Sequence, residues 1–129
     1  MRRSLVLAIP AAAFAIAAAA IAQDAIVRKP LQKSDFPGSE HASHLMLITV
    51  APGGVVAPHT HPGIEMGYVQ EGEAVMSIAG QPDFTIKAGD SYLIPAGAVH
   101  SAKVTSTVPV RIVGSFVVEK SKPLASPAK

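Results

Sequence analysis

Four residues of this sequence, His59, His61, Glu65 and His100, have the types and spacing of a metal site. Three imidazoles and one carboxylate suit a divalent first-row transition metal: Fe, Mn, Co, Ni, Cu or Zn. His59 and His61 stand two residues apart, so on a strand both side chains point to one face, roughly 6–7 Å from each other. Glu65 follows Pro62-Gly63, a turn signal that lets the chain double back and offer an oxygen to the same centre. His100 is distant in sequence and must arrive by tertiary folding. Around a divalent ion, this donor set leaves a net charge of about +1 and one or two positions for water or substrate on a metal that prefers five or six ligands. Such a centre suits an anionic oxygen ligand, with Lewis-acid or redox chemistry. A lone histidine on a strand is more often a hydrogen-bonded structural group, and His41 and His44 are read that way, at the surface or at a strand end.

The elements that must carry these residues read as strands. After residue 22 no stretch has a helical period. Strand patterns cover His44 to Val50, Val55 to His61, Glu65 to Gln70, Ala74 to Ala79, Asp83 to Lys87, Ser91 to Ile94, Val99 to Val104 and Val110 to Val118, separated by Gly and Pro turn signals. About eight short strands predict an all-β fold, a closed or two-sheet barrel. Residues 23–43 are polar and broken by Lys29-Pro30 and Phe36-Pro37-Gly38, and read as an arm with one short edge strand near Ile26–Val27. Gly72 and Gly89 occupy turn positions where positive φ is expected. Strand parity turns Glu65, Gly67 and Val69 inward and Met66 and Tyr68 outward; it also turns His100, Ala102 and Val104 inward, with Met46 or Leu47 closing the wall. Arg111 should face solvent. The expected pocket is small and apolar, with no lysine, arginine, further acid or tyrosine directed inward.

Gly53 to Gly72 reads G-x5-H-x-H-x3-E-x6-G, and Gly89 to His100 reads G-x5-P-x-G-x2-H, with residues 73–88 between them. Together these resemble the two signature motifs of the cupin superfamily, small jelly-roll-like β-barrels that often bind a metal inside. The resemblance spans roughly residues 44–118. It implies His59, His61, Glu65 and His100 as the metal ligands. It departs at Val104, where cupin motifs usually carry Asn, and that puts the local turn in doubt rather than the metal. The resemblance further implies a single cupin domain over 44–118, flanked by the 23–43 arm and a 119–129 tail or strap. Cupins often pair through strand exchange or sheet packing, so a homodimer is compatible with it.

Met1-Arg2-Arg3, the apolar run to Ala22 and the Ala20-Ile21-Ala22 cleavage pattern read as a signal peptide over 1–22, for a periplasmic or secreted product. The competing reading is an uncleaved anchor, against which the alanine-rich run is weakly apolar. Arg2-Arg3 also suggests twin-arginine export of an already folded protein, but no Ser or Thr precedes the pair. Of 11 basic and 9 acidic residues, Arg2 and Arg3 fall in this segment, so the remainder is balanced. Neutrality, absence of tryptophan and few aromatics argue against a nucleic-acid partner. Absence of cysteine removes disulfides and thiolate chemistry. The resemblance to cupin sites with three histidines and one glutamate implies a metal-dependent oxidoreductase, dioxygenase-like, acting on a small oxygenated or anionic molecule with Glu65 as ligand or proton acceptor; the alternative is a non-catalytic periplasmic protein that binds a metal or small ligand. A sugar-nucleotide isomerase or epimerase fits least, for want of phosphate-binding charge.

Overall fold

The structure is a computed structural model in which residues 25–129 are described; the expected signal at 1–22 lies outside them. The described residues contain no helix. They form ten strands: β1 (Ile26–Asp35), β2 (His41–Val50), β3 (Val55–Thr60), β4 (Gly63–Glu71), β5 (Glu73–Ile78), β6 (Phe84–Lys87), β7 (Ser91–Ile94), β8 (His100–Val104), β9 (Val110–Glu119) and β10 (Ser126–Pro127). Two five-stranded sheets result, in the orders β1-β2-β9-β4-β7 and β10-β3-β8-β5-β6, and every pairing is antiparallel. The sheets face each other without closing into one hydrogen-bonded cylinder, so the expected barrel is a jelly-roll-like sandwich.

Alternation fills the space between the sheets. Ile48 and Val50 from β2 and Ile112 and Phe116 from β9 meet Met76 of β5 and Val104 of β8 in one apolar cluster. Fully burying each such side chain contributes roughly 1.5–3 kcal/mol, which carries the fold in a chain without disulfides. Parity on β4 is as expected: Glu65, Gly67 and Val69 are buried, while Met66 and Tyr68 are exposed. Met46 rather than Leu47 turns into the core, and Arg111 faces solvent. Gly72 and Gly89 carry φ of 81° and 96°, the left-handed backbone their turns require.

Two segments differ from the sequence expectation. The arm is a full strand: β1 pairs with β2 from Ile26 to Asp35, across an irregularity between Pro30 and Gln32. An edge strand tolerates a proline whose missing N–H faces away from its neighbour, and it needs no apolar face, so neither signal that argued against a strand was decisive. β2 accordingly begins at His41, before the expected His44. His41 is exposed against Ser39 Oγ at 3.2 Å, and His44 lies within β2; neither approaches the other histidines. Of the 119–129 segment, Glu119 closes β9, while Ser126 and Pro127 pair with Thr60 and His59 of β3 and make Leu124 to Pro127 a strap along that strand.

Candidate metal centre

The four expected residues come together from both sheets. His59 of β3 and His100 of β8 are direct register partners in one sheet. A register shift between Val56 and His59 inserts one extra residue on β3, so Val56 and His59 both reach the interior despite opposite parity. Glu65 reaches in from β4 of the other sheet. His61 stands in the link between β3 and β4. The Pro62-Gly63 step therefore does not double the chain back in a hairpin; it crosses from one sheet to the other. Gly63 makes that crossing possible, because a Cβ there would overlap the carbonyl oxygen of Val117.

Each imidazole is oriented through its Nδ1. His59 Nδ1 donates to Ala57 O at 2.8 Å, His100 Nδ1 to Ala98 O at 3.0 Å, and His61 Nδ1 to Leu124 O at 2.6 Å. A carbonyl can only accept, so each contact puts the proton on Nδ1 and leaves the lone pair of neutral imidazole on Nε2. This is how metal-binding histidines are commonly prepared. The rings converge, with centroid separations of 4.1 to 5.0 Å, and one ligand atom from each of the four residues lies within 4.8 Å of the others.

Glu65 is the hub. Its Oε2 lies 3.0 Å from His61 Nε2 and 3.3 Å from His100 Nε2, and its Oε1 accepts from Tyr92 Oη at 2.7 Å. Glu65, His61 and His100 are only 5–6% exposed. His61 Nε2 and His100 Nε2 are buried without a hydrogen-bond partner. Neutral imidazoles would point two lone pairs at a carboxylate oxygen, an unfavourable arrangement that a cation or a proton relieves. The donor set and its two orphaned nitrogens thus fit a divalent metal ion.

The ionisation behaviour follows. Burial opposes charge on Glu65, but the imidazoles of His100 and His61, once protonated on Nε2, and the Tyr92 hydroxyl outweigh it and hold the carboxyl down to about 2. Burial also works against protonation of His100, yet the Glu65 and Ala98 contacts win and raise it. His59 is lowered, chiefly by burial. Burial and the adjacent Glu65 charge push the Tyr92 phenol well up, so it stays a donor.

Tyr92 and Arg28 correct the expectation that no tyrosine or cation lines the pocket. Tyr92 lies opposite Gly67 in the β4–β7 register, and its ring covers the space where a Gly67 side chain would be. Arg28 of β1 lines a cavity of about 50 Å³ beside the centre, together with Val56, His59, Glu65, Tyr92 and His100. It also lines the wider opening outside, beside His59, His61 and the strap. Both residues were hidden from parity, one on a four-residue strand and one on the arm. A glycine inside the otherwise bulky β4 was the available signal for Tyr92, because such a glycine marks a close approach. Val104, which replaces the usual Asn, leaves no disturbed turn: it ends β8, is buried, and donates to Gly54 O at 3.0 Å. His100 is delivered by the Pro95–Ala98 turn, where Ala98 N–H bonds Pro95 O at 3.1 Å and Gly97 has φ of 72°.

A two-sheet sandwich with this interior donor set defines a class, and the comparisons agree. The cupin domain profile matches residues 46–118, and the chain belongs to the cupin family. Over 79 residues it is 34% identical to oxalate oxidase 2 of Hordeum vulgare, covering 54% of this chain and 35% of that protein. The chain thus spans about a third of the length of such relatives, 35% in this case. Among solved structures, a conserved Klebsiella pneumoniae protein with a double-stranded β-helix domain superposes with a TM-score of 0.66 at 23% identity, covering 82% of this chain and 86% of the other. A recombinant oxalate oxidase in complex with glycolate superposes with a TM-score of 0.63 at 25% identity, covering 80% and 55% respectively.

Proposed function

We propose that this cupin holds one divalent transition metal through His59, His61 and His100 Nε2 and the Glu65 carboxylate, and acts on a small anionic, oxygen-bearing molecule as an oxidoreductase. The observation that carries this reading is the commitment of all three Nδ1 atoms to carbonyls, which aims three lone pairs and a carboxylate oxygen at one point. When bound, the metal would supply a Lewis-acid centre that polarises a coordinated oxygen. The chain does the rest. His59, His61 and His100 fix the geometry, and Tyr92 holds Glu65 by Oε1 so that Oε2 faces the centre. Should Glu65 release the metal, it is, among the described residues, the one carboxylate lining the cavity that can take a proton from a bound acid. The apolar walls from Ile48, Val50 and Ile112 limit water. A cavity of about 50 Å³ admits only a few heavy atoms, and Arg28 places a positive charge at its mouth. Oxalate oxidase among the relatives, and glycolate bound to an oxalate oxidase neighbour, support small carboxylates as first substrates to try.

A second reading, a non-catalytic binding protein, is favoured by one observation. Among the described residues, no acid–base pair lines the cavity besides the proposed ligands and Tyr92, which is tied to Glu65. Elemental analysis of the purified protein followed by oxygen-uptake assays with oxalate, glycolate, catechols, flavonols and small diketones separates the two. Metal with oxygen consumption supports the oxidoreductase. Metal without consumption, and with reversible anion binding, sinks it in favour of the binder. For residues 1–22 we propose export to the periplasm or beyond, tested by whether the mature protein begins at Gln23. Val27 and Leu31, 55% and 40% exposed on edge strand β1, support a homodimer, to be tested by sedimentation.

A further inference from the structure

The geometry points to the strap, Leu124 to Pro127, as a positioning element of the metal centre: docking of the strap and binding of the metal are one coupled equilibrium. This rests on the metal-site reading above. His61 differs from His59 and His100 in the origin of its orienting carbonyl. The two others use a carbonyl two residues back in their own segment, whereas His61 uses Leu124 O, 63 positions along the chain. Without that acceptor, the favoured place for the His61 proton changes. Its Nε2 lies 3.0 Å from Glu65 Oε2, so moving the proton to Nε2 would satisfy a buried nitrogen and a carboxylate at once. That tautomer withdraws the His61 lone pair and occupies the Glu65 oxygen, removing two ligand atoms together. The strap carbonyl therefore selects the ligating tautomer.

The strap is held lightly enough for such coupling to be visible. It has a two-residue ladder to β3, one further bond from Ala128 N–H to Pro58 O at 3.0 Å, and the packing of Leu124 against the core cluster. So short a ladder is marginal alone, since each ordered residue costs about 1–2 kcal/mol of backbone entropy. Leu124 to Pro127 also line the wider opening beside His59 and His61, so a released strap opens the route to the centre.

By linkage, whatever the strap adds to metal affinity, metal binding must add to strap docking. Two measurements test this, with Zn²⁺ as probe. In the first, a variant stopped after Lys122 should bind one Zn²⁺ 10–100-fold more weakly than the full chain in a chelator competition, the usual loss for an outer partner of a metal-bound histidine. In the metal-free variant, ring ¹⁵N shifts should move His61 toward the Nε2–H tautomer while His59 and His100 keep Nδ1–H. A general loosening of the fold would not produce that selectivity. The second uses the full chain alone: saturating Zn²⁺ should slow tryptic cleavage after Lys120 and amide exchange at Ala128 by a matching factor. Equal Zn²⁺ affinity with and without the strap, or strap protection unchanged by Zn²⁺, overturns the coupling and leaves the metal site standing. Failure of the intact chain to bind Zn²⁺, or any other divalent metal, overturns the site and the coupling together.

Discussion

His59 and His100 on one side, and His61 on the other, are aimed at the same point by different means. The first two carry their orienting carbonyls within their own segments, at Ala57 and Ala98, and are register partners on adjacent strands. His61 lies between the sheets, and its ring is fixed by Leu124 O on one side and an edge contact to Phe116, centroids 5.0 Å apart, on the other. One half of the centre is thus built by local chain geometry. The other half forms only when distant segments dock.

The strongest way to break this comparison is to remove each imidazole in turn. His59→Ala, His61→Ala and His100→Ala should each abolish stoichiometric metal retention through gel filtration, read by elemental analysis. Anchoring mode should not matter here, because a lost ligand atom is lost however it was held. If His61→Ala retained a full equivalent while the others did not, the remotely held histidine would not be a ligand at all.

Next in size is the interlock that positions Glu65. Gly67→Ala puts a methyl group into the Tyr92 ring. Overpacking of this kind costs roughly 1–3 kcal/mol, so the denaturant midpoint of the metal-free protein should fall with little change in slope. Gly67→Ala combined with Tyr92→Ala should recover part of that loss. An unchanged midpoint for the single variant would show that the ring is free to leave.

This division between local and remote also describes what the sequence made legible. His59, His61, Glu65 and His100 were readable because a strand period and family spacing put recognisable side-chain types at fixed offsets. The succession of short strands was readable from apolar runs between Gly and Pro turn signals, and the inward face of β4 from its parity. Leu124 left no trace, since its contribution is a backbone carbonyl that any residue could supply. Arg28 was lost because a polar, proline-containing arm does not advertise a ten-residue edge strand. At Pro62-Gly63 the bend was legible but the crossing between sheets was not, because a turn signal states that the chain bends, not which sheet it joins next.

Tyr92→Phe sharpens the contrast at smaller amplitude. It removes the donor to Glu65 Oε1 and keeps the ring over Gly67. A depressed carboxyl stabilises the folded state fully above its unfolded value near 4.5, and that contribution disappears as pH falls toward the folded value of about 2. With one donor gone, the folded value climbs. Metal-free Tyr92→Phe should therefore be about 1–2 kcal/mol less stable near neutrality, and its stability should change less between pH 5 and roughly pH 3 than the parent's. A parallel pH dependence in the two proteins would mean the phenol does not tune Glu65.

Arg28→Ala gives the smallest effect and tests another remote element. Arg28 is exposed, on the far edge of its sheet from β4, and reaches the centre only across its mouth. Stability should shift by less than about 0.5 kcal/mol, as for an ordinary surface substitution, and Zn²⁺ affinity should stay the same. Glycolate binding to the metal-loaded protein, followed by calorimetry, should weaken about 2–5-fold at low salt, the scale of a solvent-screened ion pair. The difference between variant and parent should shrink in high salt, because the interaction is partly open to solvent. A glycolate loss that persists unchanged at high salt would mean that the substitution reshaped the cavity rather than removed a charge. Concurrent loss of metal would place Arg28 among the elements that build the centre, and the line between a locally built floor and a remotely built mouth would have to be redrawn.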